Sequence, residues 1–234
     1  MTQPAPLRAV LFDLDGTLYP LRPLRWRFAL RYPWRVRTLL ALARAREGLR
    51  REGLQRPDLW TELERRAAAD LRCPPAEVAR RWQRILEHEW PAVLRRVGPY
   101  PGMRGLLDWL VQRKTPIGVL SDYPVAQKLV ALGLADLPWK LQLDASALGA
   151  LKPHPEPFHQ ALAGLGLPPA EVLYVGDRLD SDVTGARQVG LIPALLCPRG
   201  PAPPPPLLVV RTPDELRREL QGRLARDGEP GGGG

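Results

Sequence analysis

The strongest structural signal in this chain is the stretch Val10-Leu11-Phe12-Asp13-Leu14-Asp15-Gly16-Thr17-Leu18. An apolar run ends there at a glycine turn and places two carboxylates one residue apart. Such a run is typical of a buried strand, and open parallel sheets bind ligands beyond the carboxyl ends of their strands. Two acids held so close repel each other unless a cation neutralises them. The pattern therefore predicts a hard metal ion such as Mg²⁺ beside Asp13 and Asp15.

Two structural explanations compete with a metal site at this stretch. An aspartate before a glycine can cap a helix or form an Asx turn. An EF-hand loop also alternates acids, but it needs a third acidic or amide ligand before its glycine, and it lies between helices. Here Gly16 comes too early and a strand precedes the acids. The stretch resembles instead the Asp-x-Asp-Gly-Thr signature of the haloacid dehalogenase-like (HAD) hydrolases.

Two further segments resemble the second and third motifs of that superfamily. An apolar run from residue 117 ends at Ser121, which matches a family hydroxyl that donates a hydrogen bond to a phosphoryl oxygen. Asp122 departs from the asparagine often found next to it. Lys152 begins Lys-Pro-His-Pro-Glu-Pro, which is similar to the family's Lys-Pro-x-Pro element. The resemblance implies that this ammonium neutralises the nucleophilic carboxylate and the phosphoryl group, whereas a solvated surface lysine is the structural alternative.

The fourth motif follows another apolar run, residues 172–175, which ends at Gly176 and Asp177. The resemblance implies that Asp177 binds the metal directly. It also implies that Gly176 and Asp182 support the site, with Asp182 acting through water or the loop backbone. Asp180 and Asp182 could also cap the helix that follows, and for Asp180 we favour that interpretation.

Taken together, the four motifs imply phosphoryl transfer through an aspartyl phosphate. Asp13 would attack phosphorus, and Asp15 would protonate the leaving alkoxide and then take a proton from water. Mg²⁺ would be held by the Asp13 carboxylate, the Asp15 backbone carbonyl and Asp177, and it would act together with Lys152. Members that act on carbon centres typically lack the second aspartate. A phosphatase is therefore expected, and a phosphotransferase such as a sugar-phosphate mutase remains open.

The spacing of the motifs predicts an α/β fold: a Rossmann-like parallel sheet core with an inserted, all-helical cap. The core is expected over residues 1–18 and 99–226, the cap over 19–98 and a disordered tail over 227–234. Proline breaks are expected in the cap at Pro23, Pro33, Pro57 and Pro74-Pro75. Alternating strands and helices argue for a sheet covered on both faces. The strands are predicted at 9–12, 117–120, 140–143, 172–175, 191–196 and 207–210, and the core helices at 101–113, 125–132, 157–164, 182–189 and 213–226.

The composition fits a globular enzyme of one catalytic domain and a cap. The chain has 234 residues, of which 44% are hydrophobic, so it can bury a sizeable core. We find no apolar run long enough to span a bilayer and no signal peptide, which makes the cytoplasm the expected compartment. Two cysteines, Cys73 and Cys197, form neither a disulfide framework nor a metal cluster. Residues 201–206 are expected to form a stiff polyproline linker.

The net charge of +9 is concentrated in the expected cap, where residues 19–98 hold 19 basic and 9 acidic side chains. Three explanations compete: attraction of an anionic substrate, docking on a membrane or nucleic acid, or ordinary solvated helix faces. Aromatic residues interleave with the arginines from Arg22 onward, as in interfacial helices. The expected partner is a small phosphorylated metabolite. A binding module that uses the basic cap on a membrane surface or nucleic acid is the alternative of a different class.

Overall fold

The structure is a computed structural model that describes residues 6–53, 55–198 and 207–224. It contains a six-stranded parallel sheet with the strand order β3-β2-β1-β4-β5-β6. The strand bounds are β1 Ala9–Phe12, β2 Ile117–Ser121, β3 Leu141–Asp144, β4 Val172–Gly176, β5 Ile192–Leu196 and β6 Leu208–Val210. The chain builds outward from β1 to β3 and then crosses to β4 on the other side of β1. This reversal creates a crevice at the carboxyl ends of β1 and β4, the usual ligand position in open α/β sheets.

Ten helices surround or extend the sheet in the described ranges. Their bounds are α1 Leu21–Arg31, α2 Val36–Glu52, α3 Leu59–Leu71, α4 Pro75–Arg84, α5 Trp90–Val97, α6 Met103–Gln112, α7 Ala126–Leu132, α8 Pro155–Leu165, α9 Thr184–Gln188 and α10 Pro213–Gln221. Helices α8 and α9 cover one face through side chains such as Phe158 and Ala186. Helices α6, α7 and α10 cover the other through Leu107, Leu129 and Leu216. The predicted α/β fold with a parallel sheet is confirmed.

Helices α1 to α5 lie between β1 and β2 in sequence, and we call them the cap. Their buried side chains belong to the same hydrophobic cluster as one face of the sheet. A π-helical segment, Ile85–Glu89, joins α4 to α5. A second π-helical segment, Leu179–Val183, precedes α9. Segments of this kind are frequent at functional sites, and both contribute residues to the site described below.

Three local expectations are wrong. Pro23 does not break the chain but lies in the first turn of α1, where a proline costs no intrahelical hydrogen bond. The helix expected over 182–189 begins within the π-helical segment and is α-helical only from Thr184 to Gln188. The last helix ends at Gln221, before Gly222, and not at 226. The expected linker at 201–206 and the expected tail at 227–234 lie outside the described residues.

Candidate active site at the carboxyl edge of the sheet

The acids of the first and fourth motifs meet because β1 and β4 are hydrogen-bonded neighbours. Asp13 follows β1, and its backbone N–H donates to the carbonyl of Val175 at 2.8 Å. Asp177 follows the end of β4. The β2 terminus brings Ser121 to the other side of β1. Parallel strands therefore deliver all three side chains to one edge of the sheet.

Lys152 lies at the centre of the buried charges. Its Nζ is 2.6 Å from Oδ1 of Asp13 and 2.7 Å from Oδ1 of Asp182, and it also donates to the hydroxyl of Tyr174 at 2.9 Å. Its side chain is only 3% exposed. Burial alone would lower the pKa of this amine, but Asp13 and Asp182 raise it well above the usual value. Lys152 therefore remains an ammonium, as neutralisation of developing negative charge requires.

The nucleophile candidate Asp13 is held from two directions. Lys152 contacts Oδ1, and the Thr17 hydroxyl donates to Oδ2 at 2.9 Å. Burial raises the pKa of Asp13 well above its usual value against the opposing effect of Lys152, and the charges of Asp182 and Asp177 add to the rise. An anion held among other anions gains from a bound cation, so this shift is consistent with a metal site.

Asp15 is bound to a lysine that the sequence did not single out as functional. Nζ of Lys128 lies 2.6 Å from Oδ1 and 2.5 Å from Oδ2 of Asp15. The hydroxyl of Tyr19 donates to Oδ1, and Ser121 donates to Oδ2 at 3.3 Å. Burial would raise the pKa of Asp15, but Lys128 and the hydrogen bonds from Lys128 and Tyr19 bring it below the usual value. Asp15 is therefore a carboxylate in the free protein.

Gly16 is required by the approach of Asp177 to the first motif. Its φ of +106° is a conformation that L side chains rarely adopt. A Cβ added there would lie 2.1 Å from Oδ2 of Asp177. Gly176 likewise leaves no space for a side chain, since an added Cβ would lie 2.3 Å from Cβ of Asp182. The two glycines allow the acidic loops to pack against each other.

The donor set fits a hard cation. Asp13, Asp177 and Asp182 each offer a carboxylate oxygen, and these atoms lie within 4.8 Å of one another. Oδ1 of Asp177 is buried and lacks a hydrogen-bond partner among the described residues. Burial, followed by the charge of Asp182, raises the pKa of Asp177 to about 7. A buried, unpartnered carboxylate oxygen beside two other acids is the ligand arrangement that Mg²⁺ or a similar ion uses.

Asp122 connects the cap to the core. Its Oδ2 is 2.5 Å from Nη2 of Arg50 on α2, and its Oδ1 accepts from the backbone N–H of Lys152 at 3.0 Å. Nε of Arg50 donates to the carbonyl of Lys152 at 2.7 Å. An asparagine could not balance the arginine charge. An aspartate at position 122, where the family often has asparagine, thus provides the negative charge that pairs with Arg50 of the cap.

A cavity of about 530 Å³ opens above these charges, between the cap and the core. Of the predicted site residues, Asp13, Asp15, Lys152, Asp177 and Asp182 line it. Ser121 is fully buried behind Asp15, and its Oγ also accepts from the backbone N–H of Tyr123 at 3.1 Å. Gly176 ends β4 beneath Asp182.

Sequence reasoning missed Lys128, Tyr19 and Arg50. Lys128 is one of four lysines, and its position in the first turn of α7, seven residues after Ser121, was a usable signal. Tyr19 lies four residues after Asp15. The Arg50 contact was not readable, because α2 could face the core in any rotation.

A family model described as haloacid dehalogenase-like hydrolase matches residues 7–190. A glyceraldehyde 3-phosphate phosphatase of Methanopyrus kandleri is 32% identical over 213 residues, which cover 80% of this chain and 82% of the relative. A phosphoglycolate phosphatase of Yersinia pseudotuberculosis is 27% identical over 194 residues, which cover 79% and 78%. These matches show the family: the chain is a haloacid dehalogenase-like hydrolase.

Solved structures agree with this family. A HAD phosphatase from Thermococcus onnurineus aligns with a TM-score of 0.60 at 25% identity and covers 94% of this chain and 100% of its own. The L-2-haloacid dehalogenase of Xanthobacter autotrophicus aligns with a TM-score of 0.65 at 23% identity and covers 92% and 99%; this second likeness shows the fold. No helix in the described ranges is long and apolar enough to cross a membrane.

Proposed function

We propose that this chain is a Mg²⁺-dependent phosphatase that hydrolyses a phosphomonoester of a small molecule through an aspartyl-phosphate intermediate. The observation that carries the proposal is the pairing of Asp13 with Lys152 and of Asp15 with Lys128 on the floor of one cavity. Two carboxylates with separate cationic partners can take separate roles, one as nucleophile and one in proton transfer.

Asp13 is the proposed nucleophile. One of its carboxylate oxygens forms a bond to phosphorus while the bond from phosphorus to the ester oxygen breaks. Thr17 and Lys152 hold the carboxylate at both oxygens, so that it has little freedom to turn away from the phosphoryl group. The Lys152 ammonium also offsets the negative charge that develops on the phosphoryl oxygens.

Asp15 is the proposed group for proton transfer. In the free protein it is ionised, so it takes up from solvent the proton that it passes to the leaving alkoxide, while the adjacent Lys128 holds the carboxylate in position. Asp15 then takes a proton from the water that attacks the aspartyl phosphate and releases it to solvent, which restores the carboxylate. Ser121 and Tyr19 orient the carboxylate through hydrogen bonds.

The proposed Mg²⁺ would be held by the carboxylates of Asp13 and Asp177 and by the Asp15 backbone carbonyl. When bound, it supplies positive charge to the phosphoryl oxygens and orients them. The unpartnered Oδ1 of Asp177 supports this ligand set. Asp182 supports the loop, since its Oδ2 accepts from the backbone N–H of Arg178 at 3.1 Å and its Oδ1 is bound to Lys152.

The relatives' names supply glyceraldehyde 3-phosphate and phosphoglycolate as reference compounds for an assay of this chain. A charged phosphate ester does not cross an apolar bilayer readily, so we also propose the cytoplasm, where such metabolites are retained, as the place of action. The basic cap fits an anionic substrate, which it would attract from solution.

Release of inorganic phosphate from a panel of phosphomonoesters, with Mg²⁺ or with a chelator, tests the proposal. We expect metal-dependent release by the wild type and none by Asp13→Asn, with the fold of the variant verified by circular dichroism. Full activity of Asp13→Asn would disprove the proposal that Asp13 is the nucleophile. Release that persists in chelator would disprove the metal dependence.

A further inference from the structure

We infer that the substrate is a phosphate ester of a large apolar alcohol. The active-site cavity has the charged residues of the core on one side and mainly apolar side chains of the cap on the other. This inference rests on the proposed phosphatase function and names its substrate class. It concerns the part of the ester that leaves as the alcohol, which has to lie in the cavity above the phosphoryl group.

The size of the cavity exceeds what a short ester needs. At about 530 Å³ it falls within the range that holds drug-sized ligands. A phosphoryl group with two or three carbons, as in phosphoglycolate or glyceraldehyde 3-phosphate, would occupy only the part nearest the floor. The remaining volume would hold water against apolar walls, and displacing that water with hydrocarbon is favourable.

The walls are built by helices α1 and α2, by the segment that joins α4 to α5 and by the first residue of α5. Their lining side chains include Phe28, Val36, Leu39, Ile85, Leu86 and Trp90. The π-helical segment supplies the adjacent pair Ile85 and Leu86. Aromatic and branched aliphatic side chains together form a surface that binds alkyl chains or rings without directional hydrogen bonds.

Polar groups are scarce on the cap side of the cavity. Among the described lining residues the cap contributes no Ser, Thr, Asn, Gln or His; its polar groups there are the arginines Arg25, Arg46 and Arg50 and the indole N–H groups of Trp82 and Trp90. Arg50 is engaged by Asp122 and by the carbonyl of Lys152. A polyhydroxylated alcohol would leave its hydroxyls without partners on such walls, which costs affinity.

Arg46 belongs to the phosphoryl end of the cavity. Its guanidinium lies 5.0 Å from the ring centroid of Tyr123, and its charge contributes to the low pKa of Asp15. Its Nε is buried without a hydrogen-bond partner among the described residues. This group is therefore placed to meet an oxygen of the phosphoryl group. The remaining polar groups of the described cap lining are then Arg25 and the indole N–H groups of Trp82 and Trp90.

A series of straight-chain alkyl phosphates, from ethyl to octyl, tests the substrate class. We expect kcat/KM to rise about fourfold for each added methylene group until the cavity is full. Ala43 lines the cavity from α2 and is exposed, so Ala43→Phe should fill part of the volume and remove the gain for the longer chains. Ala69→Phe is the matched control, at an exposed position of α3 outside the cavity. It should show the same rise of kcat/KM with chain length as the wild type.

Binding of non-hydrolysable alkyl phosphonates, measured by calorimetry, separates this inference from the proposed function. Affinity that grows with chain length without phosphate release from any ester would overturn the phosphatase and support the apolar subsite. Phosphate release that is flat along the alkyl series, or highest for phosphoglycolate and glyceraldehyde 3-phosphate, would overturn the substrate class and leave the phosphatase standing.

A second inference concerns the outer face of the cap. We propose that Trp26, Leu30 and Trp34 dock the protein on an anionic lipid surface. Trp26 and Leu30 are four residues apart on α1, so they share one helix face, and Trp34 follows shortly after its end. The three residues are 64%, 74% and 63% exposed, although each is large and apolar.

The charge around these residues complements an anionic membrane. Residues 21–46 contain eight arginines and no acidic residue. Exposed apolar side chains among cationic ones are typical of helices that lie in a bilayer interface. A nucleic acid would attract the arginines but gives Leu30 no apolar partner. Arg25 and Ala29 of the same helix line the cavity, so this face adjoins the proposed site of an apolar alcohol.

Co-sedimentation with vesicles of phosphatidylcholine, with or without phosphatidylglycerol, tests the docking surface. We expect binding to the anionic vesicles only, weakened about tenfold by the double substitution Trp26→Ser and Leu30→Ser. Val130→Ser on α7, which is also 62% exposed, should bind as the wild type does. Absence of wild-type binding would overturn the proposal. So would tighter binding to duplex DNA, or a dimer in sedimentation velocity that the double substitution abolishes.

Discussion

The ammonium of Lys128 lies 2.6 Å from one carboxylate oxygen of Asp15 and 2.5 Å from the other, so the second aspartate of the candidate site is held in a largely buried ion pair. Both partners come from the core, one after β1 and the other from α7. In the free protein, this ion pair keeps Asp15 ionised. The contacts with Lys128 also fix the orientation of the carboxylate that is proposed for proton transfer.

Replacing Lys128 by Met should lower kcat about a hundredfold or more, the loss expected when general acid and base catalysis is disabled. The pKa of Asp15 should rise without the ammonium, so any limb of the pH profile governed by Asp15 should move to higher pH. Lys128→Arg should recover part of the rate. Lys140→Met, at an exposed lysine, is the control and should behave as the wild type. An unchanged rate and pH profile in Lys128→Met would contradict this role.

Mg²⁺ affinity should depend on pH through Asp177. Because its pKa is raised to about 7, protons compete with the metal below that pH. Affinity should therefore fall up to about tenfold for each pH unit below 7 and level off above it. Calorimetric titration of the metal across this pH range measures the effect, and Asp177→Asn should bind weakly at every pH. A constant affinity between about pH 5.5 and 8 would exclude Asp177 as the titrating ligand.

Asp122→Asn should destabilise the protein by up to about 3 kcal/mol, because the buried Arg50 then keeps only Glu47, at 3.3 Å, as a carboxylate partner among the described residues. Both side chains of this pair are less than a tenth exposed, 7% for Arg50 and 8% for Asp122. Urea unfolding measures the loss, and adding Arg50→Met should restore part of it. Asp70→Asn removes the partner of Arg44 in an exposed pair and should cost at most about 1 kcal/mol. Equal losses in the buried and exposed pairs would refute this account of Asp122.

Gly16→Ala should abolish Mg²⁺ binding as well as lower stability. Its Cβ would overlap Oδ2 of Asp177, and its backbone has a positive φ. Gly53→Ala separates the two effects, since Gly53 has a φ of +63° and, apart from its chain neighbours, no described residue has an atom within 4 Å of the added Cβ. The control should lose about 1 kcal/mol of stability and keep metal affinity. Metal binding by a folded Gly16→Ala protein would show that the close approach to Asp177 is not needed.

The strand ends of the core were predictable because local patterns encode them. Apolar runs that end in Asp13, Ser121 and Asp177 gave the strands and placed their side chains at one edge of the sheet. For Lys128 the sequence offered only its position shortly after Ser121, and for Arg50 it offered no signal. Their roles depend on how a helix is rotated against the sheet, and a helical pattern leaves the contacts of its charged residues undetermined. The apolar cavity likewise arises only when separate cap segments converge.

The most direct test of the central claim is to look for phosphorylated Asp13 by acid quench during turnover, followed by mass spectrometry of the digested protein. The account predicts a transient mass increase of one phosphoryl group on the peptide that contains Asp13, absent in Asp13→Asn. It also predicts that the modified peptide accumulates in Asp15→Asn, because the water that cleaves the intermediate is no longer activated. Turnover by the wild type with no phosphorylated peptide, or a phosphoryl group on a different residue, would contradict it.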